Sequence, residues 1–149
     1  RRVSQLAWHS KHPTAQLRMP GLRHARFNIV PVEYVADGIV GLAEAPEARG
    51  GTFHLVSDAP TQDEWFSMLA ERLGMPGLRV VTPRRGVIRM PTRLEARVHG
   101  MLGRYLDYLA HDAQFDDAEA ARVLAPRGVH HPVLRGAGLV QFIDRALGA

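Results

Sequence analysis

Residues 52–65 read TFHLVSDAPTQDEW, and this stretch decides how the fold is built. Its first five residues, 52–56, are rich in β-branched and aromatic side chains, which predicts a short strand. Residues 57–60 carry serine, aspartate and proline, which predicts a turn. Thr61 and Glu64 then match a capping box, in which the threonine caps a helix and the glutamate bonds back to it. The stretch therefore predicts a strand, a turn and a helix in close succession.

Further strands and helices are predicted on both sides of this stretch. The predicted strands cover residues 27–32, 52–56 and 78–82, and the predicted helices cover residues 33–45, 61–73, 92–110, 117–125 and a last segment that begins at Pro132. Residues 1–26 are expected to be irregular and residues 112–116 extended. The apolar face of the first helix is expected to consist of Val35, Ile39, Val40 and Leu42. This order predicts an α/β or α+β chain, of which we favour α/β, in a single domain or fragment over residues 1–149.

Composition excludes several classes of protein. Of the 149 residues, 46% are hydrophobic and 23% are charged, which is ordinary for a globular chain and excludes a wholly disordered one. No apolar run approaches the roughly 18 residues that a transmembrane helix needs. The absence of cysteine excludes disulfides, thiolate metal sites and a cysteine nucleophile, and it is compatible with the cytoplasm, where we expect the protein to be located. The chain starts with Arg1 instead of Met, so we expect it to begin inside a longer polypeptide.

Basic residues outnumber acidic ones in two stretches: residues 1–26 hold six against none, and residues 78–110 hold seven arginines against two acidic residues. The whole chain has a formal net charge of +4. Four of the arginines recur every four residues and would form one stripe on a continuous helix: Arg85, Arg89, Arg93 and Arg97. Pro91 interrupts such a helix, so we expect the stripe to be divided. A solvated face is the ordinary interpretation. The alternative is binding of a phosphorylated carrier, an anionic membrane or a nucleic acid through residues 78–104, with nucleic acid the least favoured because the charge is diluted.

One part of the chain resembles a known family. Residues 28–39 read NIVPVEYVADGI and are similar to the stretch of extended short-chain dehydrogenases/reductases in which a strand ends in VPVDYVADAI. The similarity is greatest to the thioester-reductase and fatty-acyl-CoA-reductase branch of that family. Residues 51–56 (GTFHLV), residues 65–74 and the residues FDD at 115–117 resemble later segments of the same family.

The resemblance implies a partial Rossmann-like α/β fold, made of C-terminal strand–helix elements and a helical substrate-side subdomain. It also implies a parent enzyme that is an NAD(P)-dependent oxidoreductase or an epimerase/dehydratase, with NAD or NADP as its cofactor. The substrate would be a small molecule with a carbonyl group, or an acyl-carrier- or CoA-linked thioester.

This sequence departs from the family in two motifs. The Gly-rich turn that holds the cofactor is absent, and Tyr34, Tyr105 and Tyr108 lack the lysine four residues later that completes the family's catalytic pair. The chain is therefore predicted to be the C-terminal, substrate-side portion of such an enzyme. It is expected to bind no cofactor alone, and the missing N-terminal nucleotide-binding half is expected to lie upstream.

The candidate site residues come from the same resemblance. Arg23, Arg26 and Asn28 precede the recognised segment, in a region that runs beside the substrate cleft in the family, and they are our candidate substrate-side residues. No residue is assigned a catalytic or cofactor-binding role, so whether this chain is itself an enzyme stays open.

The other ionisable residues favour structural roles. Glu33 and Asp37, at i and i+4, could form an acid/base pair, but their position favours charges at the N-terminal end of a helix. His54 is expected to be half-buried within its strand. No metal site is predicted, because no carboxylate lies at ligand spacing beside the close histidine pairs. These pairs are His9 with His12 and His130 with His131.

Two hypotheses about function therefore remain. In the first, the chain shapes the substrate pocket of a larger NAD(P)-dependent enzyme. In the second, it is a non-catalytic binding module that docks onto an anionic partner through its basic segment.

Overall fold

The computed structural model describes residues 16–83 and 88–148, which form an α/β structure that is roughly half helical. Within these residues there are five α-helices and one parallel sheet of two strands. In chain order the elements are β1 (Leu17–Pro20), α1 (Val32–Ala43), α2 (Gln62–Leu73), β2 (Leu78–Val81), α3 (Arg93–Leu109), α4 (Ala118–Leu124) and α5 (Ala137–Leu147). None of these helices is long and apolar enough to cross a membrane.

The contacts of the chain group it into two compact units, each made of two separate segments. Unit 1 combines the described residues up to 27 with residues 61–112, and unit 2 combines residues 28–60 with residues 113–148. Unit 1 holds both strands with α2 and α3, and unit 2 holds α1, α4 and α5.

The parallel pairing of β1 with β2 organises unit 1. Leu17 lies opposite Leu78, and the register continues to the last pair, Pro20 with Val81. Alternate side chains of each strand are buried, as expected when one face of a sheet is covered. The core of the unit consists of Leu17, Met19, Phe66, Ala70, Leu78, Val80 and Leu109.

Helices α2 and α3 both begin with a capping box. Thr61 Oγ1 accepts a hydrogen bond from the Glu64 backbone N–H at 3.2 Å, and Glu64 Oε2 accepts one from the Thr61 N–H at 2.7 Å. Thr92 and Glu95 exchange the same two bonds at the start of α3. The boundaries predicted for these two helices are confirmed to within one residue at each end.

Unit 2 is held together by close approach of its segments to small residues on α1. A Cβ atom at Gly38 would lie 2.9 Å from Leu55 Cδ1, and one at Gly41 would lie 2.8 Å from Leu124 Cδ2. Both distances are too short for a real Cβ, so each glycine allows a leucine to pack directly on the helix backbone. This explains the contact between α1 and α4.

The apolar face predicted for α1 is wrong at two of its four positions, since Ile39 and Val40 are 58% and 56% exposed. The other two, Val35 and Leu42, are half-buried. The fully buried positions of the helix are Tyr34, Gly38 and Gly41, and a search for large apolar side chains at helical spacing does not find its glycines.

Two of the predicted strands are not strands in the structure. Residues 27–30 form no ladder, and α1 already begins at Val32, directly after Pro31. Residues 52–56 also form no strand, although their composition favours one, because no described segment pairs with them. A strand needs a partner for its backbone groups, and the described residues supply none to this segment. The third prediction, residues 78–82, is confirmed as β2.

Three further boundaries differ from the sequence prediction. β1 lies within residues 1–26, which were expected to be irregular, and residues 112–116 form no strand. Helix α5 begins at Ala137 instead of Pro132. Gly136 precedes it with φ 49° and ψ −124°, a conformation that favours glycine and ends the preceding loop.

Candidate functional site

A cleft of about 400 Å³ lies in unit 1, where the carboxyl ends of the two parallel strands meet. One wall follows β1 (residues 20–22), a second follows β2 (Thr82 and Pro83), and the third is formed by the C-terminal half of α3 (Gly103, Leu106, Asp107 and Ala110). In open α/β sheets, ligands bind in the crevice at this end of the strands. The cleft is therefore the leading candidate for a substrate-binding site in unit 1.

The side chain of Gln62 links two walls of the cleft by hydrogen bonds. Its side chain is fully buried at the start of α2; Oε1 accepts a hydrogen bond from the Leu22 N–H at 3.0 Å, and Nε2 donates one to the Leu109 carbonyl at 2.9 Å. One amide thus joins the loop after β1 to the end of α3. Sequence reasoning missed Gln62, because a glutamine in the first turn of a helix is ordinarily exposed.

Gly21 is required beside this glutamine. A Cβ atom at Gly21 would lie 2.8 Å from Val80 Cγ2 and closer still to Gln62 Oε1. Since Gln62 is held at both ends of its amide, it cannot move aside. Gly21 therefore lets the side chains of Gln62 and Val80 pack directly on the main chain beside the cleft.

The polar groups of the cleft suit binding better than covalent chemistry. Among its described lining residues, Asp107 is the single titratable side chain, and Thr82 supplies a hydroxyl. Both residues are exposed. They can accept hydrogen bonds from a ligand, while Leu106 and Pro83 offer apolar contact. A positioned nucleophile with a general base, which covalent catalysis needs, is not found among these lining residues.

An ion pair in unit 1 joins Arg18 on β1 to the buried Glu95 on α3. Arg18 Nε donates to Glu95 Oε1 at 2.7 Å, and its terminal nitrogen donates to Oε2 at 2.9 Å. Glu95 is fully buried and also accepts from the backbone N–H groups of Arg18 and Thr92. The Arg18 hydrogen bonds, followed by those from the backbone, hold the pKa of Glu95 far below its usual range, against the opposing effect of burial. This pair fixes the start of α3 on the sheet.

The three predicted substrate-side residues do not line the cleft. Arg23 donates to both carboxylate oxygens of Asp63, at 3.0 and 2.8 Å, and these bonds lower the pKa of Asp63. The backbone N–H of Arg26 donates to Asp112 Oδ1 at 3.3 Å. In unit 2, Asn28 Nδ2 donates to the carbonyl of residue 113 at 2.6 Å. Each residue thus makes a local structural contact, and a role of any of them toward substrate stays a prediction.

The basic stripe is divided, as expected, because the helix begins only at Arg93, after Pro91. Arg85 lies outside the described residues, and Arg89 precedes the helix in an exposed bend. Arg93 and Arg97 lie on α3, where helical spacing places Arg104 on the same face. This outer face, opposite to the buried one, also carries the exposed side chains of Met101, Tyr105 and Tyr108.

A second cluster of functional groups lies in unit 2. His131 Nδ1 is 3.1 Å from Asp117 Oδ2, and Tyr34 lies buried beside them. Burial raises the pKa of Tyr34, and the negative charge of Asp117 raises it further. Tyr34, His130 and His131 line one pocket of about 170 Å³. Sequence reasoning considered the histidines only as metal ligands and did not connect them with this tyrosine.

The remaining candidates have ordinary surroundings. His54 is exposed instead of half-buried; its ring lies 5.3 Å from that of Phe115, between centroids. Glu33 and Asp37 are exposed on α1, and Glu33 lies 3.9 Å from Arg145. His9 and His12 lie outside the described residues. Within residues 16–83 and 88–148, no group of three or more potential metal ligands is found.

Comparisons of the chain with protein-family models, with curated proteins and with solved structures each found no match. The α/β class therefore rests on the structure, and the family resemblance rests on the sequence segments quoted above.

Proposed function

We propose that this chain is the substrate-side portion of an NAD(P)-dependent oxidoreductase or epimerase of the extended short-chain type, located in the cytoplasm. The observation that supports the proposal most is the cleft at the carboxyl end of β1 and β2, the end at which α/β sheets bind ligands. The ordered sequence segments that resemble the family support it independently. NAD or NADP, bound upstream, would supply hydride transfer to a carbonyl or acyl-thioester substrate.

In this proposal the cleft binds and orients the substrate. Leu106 and Pro83, which line the cleft, contact the apolar part of the substrate. The Asp107 carboxylate accepts a hydrogen bond from a substrate hydroxyl or from an amide N–H of a carrier arm. These contacts place the reacting carbonyl but take no part in bond making.

The first test is to sequence the DNA upstream of the Arg1 codon. We expect an open frame that encodes a Gly-rich turn after a strand and a Tyr-x-x-x-Lys pair, because the chain carries neither. The protein encoded by that frame should bind NADH or NADPH, and residues 1–149 alone should not. An in-frame stop codon just upstream, followed by a start codon, would refute the proposal.

In the complete protein, Ala110→Trp is expected to raise KM for the carbonyl substrate about tenfold or more and to leave the Kd for the cofactor unchanged. The reason is steric, since Ala110 lines the cleft and an indole would fill much of it. Steady-state kinetics and cofactor fluorescence measure the two quantities. Ala96→Trp is the matched control, because Ala96 is exposed on the same helix and does not line the cleft. If both variants raised KM equally, the cleft would not be the substrate-binding site.

A second candidate function, the binding module, is favoured by the outer face of α3. Three exposed arginines lie there with one methionine and two tyrosines, a combination that is enriched at binding surfaces. Helix α3 has two acidic residues, and only Asp107 is exposed, because Glu95 is buried. The exposed surface of the helix is therefore mainly basic. An anionic partner with some apolar surface, such as an anionic membrane or a phosphorylated carrier, would suit this face.

For this second function we expect salt-dependent binding to anionic vesicles, with phosphatidylcholine vesicles as the neutral comparison. Removing three charges from the outer face should weaken binding about tenfold or more at low salt, since each arginine near such a surface contributes about 1 kcal/mol. The variant is Arg93→Gln/Arg97→Gln/Arg104→Gln. The control removes the same charge from unit 2: Arg49→Gln/Arg122→Gln/Arg145→Gln. Equal weakening in both variants would mean that net charge, and not this face, attracts the vesicles. If the chain bound single-stranded nucleic acid more tightly than the vesicles, nucleic acid and not a membrane would be the partner.

A further inference from the structure

The pocket of about 170 Å³ in unit 2 has no role in the function proposed above. Its apolar lining includes Leu124 and Val129, together with two alanines of the α4 region. Three polar side chains complete the lining, namely Tyr34, His130 and His131. An apolar pocket with a few convergent polar groups is the usual form of a small-molecule site.

The hydroxyl group of Tyr34 is the first polar feature of this pocket. The residue is only 9% exposed, and among the described residues its hydroxyl has no hydrogen-bond partner. Asp117 acts on Tyr34 through its charge. A tyrosine hydroxyl is protonated at neutral pH and is a hydrogen-bond donor, and the raised pKa of Tyr34 favours the protonated form further. A buried hydroxyl without a partner is unfavourable, so a ligand oxygen that accepts from it would be stabilised.

His131 supplies the complementary group. Its Nδ1 lies 3.1 Å from Asp117 Oδ2. An ionised carboxylate can only accept hydrogen bonds, so Nδ1 carries the proton in this contact. In the neutral ring, Nε2 then keeps its lone pair and is an acceptor. The carboxylate thus fixes the tautomer of a histidine that lines the pocket.

We propose that this pocket binds a small alcohol or phenol. A ligand hydroxyl is both donor and acceptor, so one group can accept from Tyr34 and donate to His131 Nε2. Ketones and ethers satisfy only the tyrosine, and hydrocarbons satisfy neither residue. A cavity of about 150 Å³ is known to admit benzene, which sets the size of the ligand at about six to eight non-hydrogen atoms. The proposal is independent of the reductase function, which concerns unit 1.

The test uses the 149-residue chain and two probes of nearly equal shape, phenol and toluene. Titrations followed by amide chemical shifts should give a Kd for phenol of about 1 mM, as expected for so small a ligand. Phenol should bind about fivefold more tightly than toluene, the effect of a hydrogen bond made in a partly buried site. The largest shifts should occur at residues 121–125 and at Val129.

Tyr34→Phe should abolish the preference for phenol over toluene and leave the affinity for toluene unchanged. The unfolding midpoint of this variant should be equal to or above that of the wild type, since the deleted hydroxyl has no described partner. His131→Leu should also reduce the preference, because the acceptor is lost. Tyr108→Phe, which makes the same chemical change at an exposed site, should alter neither affinity.

Three results would overturn the proposal. The first is equal binding of phenol and toluene by the wild-type chain, which needs no variant to fold. The second is tighter binding of benzoate than of phenol, which would make the histidines an anion site. The third is a phenol response confined to the cleft of unit 1, at residues 20–22 or Ala110.

Discussion

Replacing Glu95 by alanine is expected to lower the free energy of unfolding of unit 1 by about 3 kcal/mol. Glu95 is fully buried, so its removal takes the acceptor from two backbone N–H groups and from the half-buried guanidinium of Arg18. Urea unfolding followed by the fluorescence of Trp65, which packs on Phe27 in this unit, measures the change. A Trp8→Phe background makes Trp65 the single tryptophan.

The same carboxylate should make unit 1 sensitive to acid. The pKa of Glu95 is lowered by folding, so its charged form stabilises the folded state above its ordinary pKa of 4.5, and this contribution is lost as the pH falls below that value. The difference in stability between the wild type and Glu95→Gln should therefore be largest near about pH 6 and should shrink toward about pH 3.

Glu71→Ala is the matched control for both measurements. Glu71 is exposed on α2, and this variant should change stability by less than about 0.5 kcal/mol. A loss at Glu95 no larger than the loss at Glu71 would contradict the buried pair. So would a stability difference that is the same at all pH values.

Replacing Gln62 by leucine is expected to cost about 2 kcal/mol, although leucine has a similar volume and greater hydrophobicity. The variant removes two hydrogen bonds, each of which contributes about 1 kcal/mol, and the Leu22 N–H and the Leu109 carbonyl keep only the bond that they make with each other at 3.2 Å. The same Trp65 fluorescence measures the loss. Under the proposed function, the complete protein should also bind its substrate less well, because Gln62 holds two walls of the cleft.

Gln62→Glu separates the two hydrogen bonds. A carboxylate can still accept from the Leu22 N–H but cannot donate to the Leu109 carbonyl, so this variant should also be destabilised. Gln141→Leu makes the first substitution at an exposed helical position and should be nearly neutral. If Gln62→Leu were as stable as the wild type, the buried amide would have no structural role.

The helices could be predicted from the sequence because their signals are local. The capping box of Thr61 and Glu64 lies within four residues, and the structure contains it as predicted. Thr92 and Glu95 carry the same signal, and recognising it would have drawn attention to Glu95. A local signal cannot predict the pairing of Glu95 with Arg18, because the two residues are separated by 77 positions.

The strands could not be predicted in the same way. Residues 52–56 have the better strand composition, yet the structure forms its sheet from Leu17–Pro20 and Leu78–Val81. Strand formation depends on a partner for the backbone, and partners are set by the tertiary fold instead of by local composition. The buried face of α1 was misjudged for a similar reason, since Gly38 and Gly41, which pack there, carry no hydrophobic signal.

The site was predictable only in part. The sequence indicated a binding region near residues 23–28, whereas the cleft begins at residues 20–22, directly before it. Gly21 and Gln62 depend on contacts between distant segments, so neither could be recognised from its neighbours in sequence. Tyr34 is likewise separated by 83 positions from Asp117 and by 97 from His131.

The interleaving of the two units has a consequence for synthesis of the chain on the ribosome. Residues 28–60 emerge after the first segment of unit 1 but cannot complete unit 2 until residues 113–148 follow. Unit 1 is likewise incomplete until residue 112 has left the exit tunnel. Neither unit can therefore reach its final structure during the first two thirds of translation of these residues, and unit 2 completes only after residue 148 has left the tunnel. Exposed apolar segments would need protection in that interval, so a nascent chain stalled near residue 100 should be a preferred client of a ribosome-associated chaperone.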